Sequence, residues 1–273
     1  MSVAEIYVPR DSWSNFANDP YLIEQYAGFS GRLSVGIPLT IGSTSLQSVA
    51  DGNADSYFTR LAQNLKTLGR GDSDLRLGWE FNGNWYPWSA TTTSTYLAAF
   101  RHVSRLLKKT LPDAAIDWNG NWGNSQSGHD PFTEEYPGDS YVDVVGLDGY
   151  DGGWVAANTD AKFIIWKNSH HSLKDWYEFA VDHGKKFAMP EWGLVADGEK
   201  DNPAFIRGMY SFFQRNAAHI AYEAYFNSSG SSLYNPDEYP DSSATYQQLW
   251  SQTTSTSGGK AAASMPATAR NGR

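Results

Sequence analysis

Glu80 and Glu191 are the residues of this chain whose type and surroundings best suit catalysis. Glu80 lies in Leu75-Arg-Leu-Gly-Trp-Glu-Phe-Asn-Gly-Asn-Trp-Tyr-Pro-Trp88, among Trp79, Trp85, Tyr86 and Trp88. Glu191 lies in Met189-Pro-Glu-Trp-Gly193, beside Trp192. Aromatic rings stack on the C–H faces of pyranoses, and apolar surroundings raise a carboxyl pKa until the group can donate a proton. Two carboxyl groups are the minimum kit for glycosidic cleavage: one protonates the leaving oxygen, and the other attacks the anomeric carbon or activates water. Taken singly, each glutamate also reads as a polar residue at a strand end.

The elements that must position them follow from periodicity. Strands are expected at Val3–Val8, Arg32–Ile37, Leu75–Glu80, Ala114–Trp118, Val142–Leu147, Lys186–Pro190 and Ile220–Phe226. Apolar residues at helical spacing predict helices around Ala54–Leu68, Tyr96–Leu107, Leu173–Ala180, Phe205–Phe213 and Tyr246–Trp250. Asp51 or Asp55 starts the first of these and Gly69 stops it; Ser94 is expected to cap the second. Pro203 suits a first helical position behind Asp201 or Asn202. Strand, loop and helix in alternation predict a parallel sheet, here an α/β chain folded as a (β/α)8 barrel over residues 1–252. Residues 253–273, rich in Ser, Thr, Gly and Ala, read as a disordered tail.

In such a barrel the strand ends converge on one face. They supply Arg76 and Glu80, then Asn119, Asn121 and Trp122, then Asp148, Tyr150 and Asp151, then Glu191 and Trp192, and last Tyr225. Strand alternation would put Arg76, Gly78 and Glu80 on one face, with Arg76 below Glu80 and able to hold nearby carboxylates ionised. Trp79, Trp85, Trp88, Asn119, Asn121, Trp122, Asp148, Trp192 and Tyr225 are the candidate substrate contacts. Trp85 and Trp88, flanked by Asn84 and Pro87, read as a stacking platform in a loop, whereas Trp118, Trp166, Trp176 and Trp250 read as packing.

Composition narrows the partner. The 273 residues carry a net charge of −9, which argues against nucleic acid and anionic membranes and fits a neutral ligand. Eleven Trp and 16 Tyr exceed what a core requires and suit carbohydrate. With no Cys, thiolate metal sites and disulfides are excluded, and neither the six His nor Asp148 and Asp151 show metal-ligand spacing, so no metal or cofactor is expected. No apolar run is long enough for a membrane span, and the first residues lack the regions of a signal peptide.

Leu75–Trp88 resembles the acid/base strand of glycoside hydrolase family 26, whose pattern is an Arg followed by His-Glu-Met/Phe-Asn-Gly-Asn-Trp. Met189-Pro-Glu-Trp-Gly193 resembles that family's nucleophile strand, and Asp143-Val-Val-Gly-Leu-Asp-Gly-Tyr150 the strand between them; the match runs from about residue 5 to 250. The resemblance implies a retaining enzyme with its glutamates on barrel strands 4 and 7. Glu80 would be the acid/base, Glu191 the nucleophile, and Tyr150 a hydrogen-bond donor to Glu191. It implies a β-linked polysaccharide substrate, mannan first, with mixed-linkage β-glucan or β-1,3-xylan as alternatives, and extracellular action as a monomer. Two departures stand out. Trp79 replaces the usual His, and only two strands precede Leu75, so the first barrel strand is expected to be missing, as a truncated gene model or fragment would explain. A non-catalytic carbohydrate-binding barrel is the competing reading. A barrel acting on phosphorylated metabolites lacks a Gly-rich phosphate site.

Overall fold

The computed structural model describes residues 3–152, 158–195, 201–228, 231–233 and 238–256. In chain order its elements are β1 (Val3–Tyr7), α1 (Trp13–Asn18), α2 (Tyr21–Glu24), β2 (Arg32–Ile37), α3 (Leu46–Ala50), α4 (Asp55–Thr67), β3 (Asp74–Leu77) and α5 (Thr93–Thr110). They continue with β4 (Ala115–Asn121), β5 (Val144–Tyr150), α6 (Asp160–Asn168), α7 (Leu173–Asp182), β6 (Lys186–Gly193), α8 (Pro203–Arg215), β7 (Ile220–Tyr225) and α9 (Pro240–Thr256). The seven strands form one sheet in the order β1-β2-β3-β4-β5-β6-β7, and every pairing is parallel. The edge strands β1 and β7 approach each other outside this ladder, so the sheet curls into a nearly closed (β/α) barrel with seven strands among the described residues.

Parallel strands covered by helices are buried on both faces, which their apolar runs reflect. Leu33, Val35, Ile37, Leu75, Leu77, Ile116 and Val145 are buried in one core with the inner faces of the helices. Helix α5 shows how that cover forms. Tyr96, Ala99, Phe100, Val103 and Leu107 fall at helical spacing and are buried, and Lys108 and Lys109 sit in the last turn, where the helix dipole favours cations. Each large apolar side chain of this stripe contributes ~1.5–3 kcal/mol by its burial. In α8, Asn202 accepts from the Phe205 N–H and Pro203 occupies the first turn, as expected.

Several boundaries differ from the sequence reading. Thr92, not Ser94, is the residue before α5, and Ser94 lies inside it. Strands β4 and β5 run on through Asn121 and Tyr150, because their polar ends face partners inside the barrel mouth. The periodicity of α6 was too weak to mark it, with only Phe163 and Trp166 buried. Helix α9 continues to Thr256, so the expected tail loses its first four residues to the helix; residues 257–273 lie outside the described part. Among the described residues no helix is long and apolar enough to cross a membrane.

Candidate active site

Glu80 is not on a strand. β3 ends at Leu77, Gly78 takes φ 55, and Glu80 itself takes φ 51, in the left-handed region that side chains other than Gly seldom adopt. A Cβ on Gly78 would lie 2.8 Å from Leu39 and 3.1 Å from Trp88, so this close turn needs glycine. The turn is held from β4. The Glu80 N–H donates to the Asn119 carbonyl at 2.8 Å. The Asn82 side chain pairs with the Asn121 backbone twice, accepting at 2.7 Å and donating at 2.8 Å. Glu80 therefore stands clear of the sheet, and the strand-alternation argument that placed it directly over Arg76 does not describe the backbone.

Both Glu80 oxygens are engaged. Trp85 Nε1 donates to Oε2 at 2.8 Å, and Asn121 Nδ2 donates to Oε1 at 2.5 Å. Burial, then the charge of Glu191, push the Glu80 pKa up to about 7; the bonds from Asn121 and Trp85 and the charge of Arg76 oppose this.

Glu191 shows the opposite balance. Burial raises its pKa, but the Arg76 charge and hydrogen bonds from Tyr7, Arg76 and Tyr150 outweigh burial and hold it below the ordinary value. Arg76 Nη2 donates to Glu191 Oε1 at 2.9 Å, Tyr150 donates to Oε2 at 2.9 Å, and Tyr7 donates to Oε1. The same guanidinium binds Asp148 at 2.7 Å, Asn119 at 2.9 and 2.6 Å, and Glu5. Burial pushes Asp148 up as well, yet each of its polar contacts is one it accepts, from Arg76, from Asn119 at 3.1 Å and from the Glu191 N–H at 3.2 Å. That is the pattern of a carboxylate.

Glu80, Asp148 and Glu191 bring oxygens within 4.8 Å of one another, close enough to hold a cation in principle. Here the Arg76 guanidinium already lies against two of them. For Glu80 and Glu191, an oxygen–oxygen approach within 4.8 Å fits the ~5–5.5 Å carboxyl separation of double displacement better than the ~6.5–9.5 Å that an interposed attacking water needs.

A cleft of about 530 Å³ opens on the Glu80 side, lined by Asn82, Trp85, Asn121, Trp122, Asn124 and His170 among others. Trp85 is 51 % exposed beside it. A Cβ on Gly83 would lie 2.4 Å from the Trp85 ring, so the Asn82-Gly83 turn is shaped to let that indole fold back onto Glu80.

Other expected contacts lie elsewhere. Trp88 is 1 % exposed, stacks on Tyr86 at 4.4 Å and donates to the Trp79 carbonyl at 2.9 Å; it is core, not platform. Trp192 is fully buried, with its N–H 2.7 Å from Glu223, and offers no face to a sugar. Trp79 is 3 % exposed, packed against Tyr7, Tyr86 and Trp88. Asn119 and Asp148 are fully buried behind the glutamates. Tyr225 accepts from the Leu194 N–H at 3.1 Å and donates to the Ser231 carbonyl at 2.8 Å, which makes it a loop brace. Trp118, Trp166 and Trp176 are buried packing, as expected. Glu5 and Tyr7 were missed, although the period of β1 puts both on one face and a Glu within a short strand is a signal in itself.

A parallel barrel that brings two oppositely tuned glutamates within 4.8 Å of each other has the architecture of a barrel glycoside hydrolase. The chain belongs to glycosyl hydrolase family 26, whose family model matches residues 44–209. It is 27% identical over 213 residues to Endoglucanase H of Acetivibrio thermocellus, covering 73% of this chain and 22% of that protein. It is 29% identical over 138 residues to a mannan endo-1,4-beta-mannosidase of Bifidobacterium adolescentis, covering 46% of this chain and 13% of that protein. The matched part thus spans less than a quarter of either relative's length. Among solved structures, an endo-beta-1,4-mannanase double mutant of Cellulomonas fimi superposes with a TM-score of 0.64 at 22% identity, covering 86% of this chain and 57% of that one, and shares the fold.

Proposed function

We propose that the chain is a retaining endo-acting β-glycoside hydrolase, with Glu80 as acid/base and Glu191 as nucleophile. The observation that carries this is the opposed tuning of two carboxyl groups within 4.8 Å: Glu80 raised to about 7, Glu191 held low. In the first step Glu80 gives its proton to the glycosidic oxygen. The Glu191 carboxylate bonds to the anomeric carbon as the C–O bond breaks. In the second step the Glu80 carboxylate takes a proton from water. The water oxygen attacks the anomeric carbon, and Glu191 leaves as a carboxylate. Arg76 and Tyr150 stabilise the charge that Glu191 regains. Because the cleft opens beside the acid, it receives the leaving-group sugars, with Trp85 and Trp122 as aromatic walls.

Chemical rescue tests the roles. Glu191→Gly should lose turnover and, with azide and an activated aryl β-glycoside, regain it with an α-glycosyl azide as product. Glu80→Gln should slow polysaccharide far more than activated aryl glycosides. A β-azide from Glu191→Gly, or equal losses on both substrates in Glu80→Gln, would reverse or remove the assignments.

For the backbone, β-1,4-mannan is the first reading, supported by the relative named a mannan endo-1,4-beta-mannosidase. β-Glucan is the second. It is favoured by the relative named Endoglucanase H, which matches more of the chain. Reducing-sugar release from mannan, β-glucan and β-1,3-xylan, with Glu191→Gln as control, separates them. A polymer of this size is met outside the cell, and the site is assembled within one chain, so we place the activity outside the cell and in a monomer.

A further inference from the structure

The Tyr7 hydroxyl has more acceptors than it has protons. It lies 2.9 Å from Glu5 Oε1 and within hydrogen-bond reach of Glu191 Oε1, and it accepts from Arg76 Nη1 at 3.0 Å. Burial, with the charges of Glu191 and Asp148, pushes the Tyr7 pKa up, so the phenol keeps its proton. A phenol carries one proton and Arg76 already fills an acceptor position, so Tyr7 donates to Glu5 or to Glu191 but not to both. The choice follows charge, because a carboxylate is the stronger acceptor.

That choice changes during a double displacement. In the free enzyme Glu191 is ionised and draws the Tyr7 proton. Once esterified, Glu191 is neutral, while Glu5 keeps its charge against Arg76. We propose that Glu5 is a positioning residue: it holds the Tyr7 proton while Glu191 is esterified and gives it back as Glu191 is released. The inference rests on the roles proposed above for Glu80 and Glu191. The movement is a rotation about the phenolic C–O bond. No covalent bond breaks and no charge is transferred.

The other groups facing Glu191 are fixed differently. Arg76 from β3 and Tyr150 from β5 donate to it in place, Asp148 from β5 is held by Arg76 and Asn119, and Glu80 is held by Trp85 and Asn121. Among the described residues, Tyr7 is the group around Glu191 whose single donor has a second carboxylate within reach.

The two ends of this switch should fail in opposite directions. Without the Glu5 charge, Tyr7 and Arg76 donate more fully to Glu191. The nucleophile weakens and its pKa falls. Without the Tyr7 hydroxyl, the departing Glu191 loses a donor, and its pKa rises. The test is stopped-flow hydrolysis of a 2,4-dinitrophenyl β-glycoside of the sugar the wild type cuts, over a pH series. The burst reads formation of the glycosyl-enzyme, and the steady state reads its breakdown. Glu5→Gln should slow formation roughly threefold or more, leave breakdown within about twofold, and shift the acidic limb of kcat/KM to lower pH. Tyr7→Phe should slow breakdown roughly tenfold, the loss of one charge-assisted hydrogen bond, and shift the acidic limb to higher pH.

Equal slowing of both steps by Glu5→Gln, or acidic limbs that move the same way in both variants, would overturn the proposal and leave Glu5 a structural partner of Arg76. If Glu5→Gln gives no cooperative melt, Tyr7→Phe decides alone, and unchanged breakdown overturns the proposal. Azide rescue of Glu191→Gly is independent of both variants. Its failure removes the proposed function, whereas its success with symmetrical effects at Glu5 removes only this inference.

Discussion

Replacing Glu191 by Gln should lower the pKa of Glu80, and the size of the fall can be worked from the geometry. Oxygens of the two groups approach within 4.8 Å. At that separation and an effective dielectric of about 20, two unit charges interact by ~3.5 kcal/mol, equivalent to ~2.5 pH units. The fall should be smaller than this, because burial is the larger cause of the rise to about 7 and the amide leaves burial in place. Glu80 should therefore titrate about one to two units lower in the variant, and still above an ordinary glutamate. Protein labelled with 13C at the Glu side-chain carboxyl carbon and titrated by NMR gives the value directly, with the Glu80→Gln spectrum assigning the resonance. In the proposed mechanism the same neutralisation accompanies esterification of Glu191, so the shift would measure how strongly that cycle turns Glu80 from acid into base. A Glu80 resonance that titrates at one pH in both proteins would refute charge coupling as the switch and leave burial alone to explain the raised value.

Trp85→Phe keeps an aromatic face but removes the N–H that donates to Glu80 Oε2 at 2.8 Å. That bond favours the ionised form, so its loss should raise the Glu80 pKa further and move the basic limb of kcat/KM up by about half a unit or more; an unmoved or lowered limb would contradict the assignment. On β4, in register with Arg76, burial raises Asp117 to about 7, against the pull of Arg76 and hydrogen bonds from Tyr222 and the Gly146 backbone. The folded chain thus keeps a proton that the unfolded chain releases above an ordinary 3.8, and stability is lost as pH rises from there to about 7. The loss should reach as much as ~4 kcal/mol. In Asp117→Asn, urea melts at about pH 4.5 and 7.5 should show this slope flattened, and an unchanged slope would place its source elsewhere.

What the sequence made legible was the set of strand ends, and what it hid was their geometry. Parallel strands announce themselves by apolar runs, and helices such as α4, α5 and α8 by their spacing, so the barrel and its seven strands could be read in advance. Glu80 and Glu191 stood out because each carboxylate lay among indoles after an apolar run. Which indoles face a sugar is decided by tertiary packing. Trp88 and Trp192 have the same neighbours in sequence as a platform residue, yet each finds a buried acceptor for its N–H, the Trp79 carbonyl and Glu223 respectively, and sinks into the core. The left-handed turn at Gly78 and Glu80 was hidden for a related reason: a Glu is not a residue that signals positive φ, and the turn is held to the neighbouring strand by the Glu80 N–H donating to the Asn119 carbonyl and by the Asn121 N–H donating to Asn82.

Arg76 explains why site and scaffold are hard to separate in this chain. Its fully buried guanidinium stands on β3 and reaches Glu5 on β1, Asn119 on β4, Asp148 on β5 and Glu191 on β6. A buried charge of this kind is tolerated only when it is paired and its donors are satisfied, and removing it would strand three carboxylates in the barrel interior. The cation that keeps Glu191 ionised therefore also ties the edge strand β1 to the far side of an incomplete sheet. A nucleophile held low demands a buried positive charge, that charge demands further carboxylates, and those carboxylates must come from other strands. In this sense the electrostatics of the reaction help specify the curvature of the barrel that carries it out.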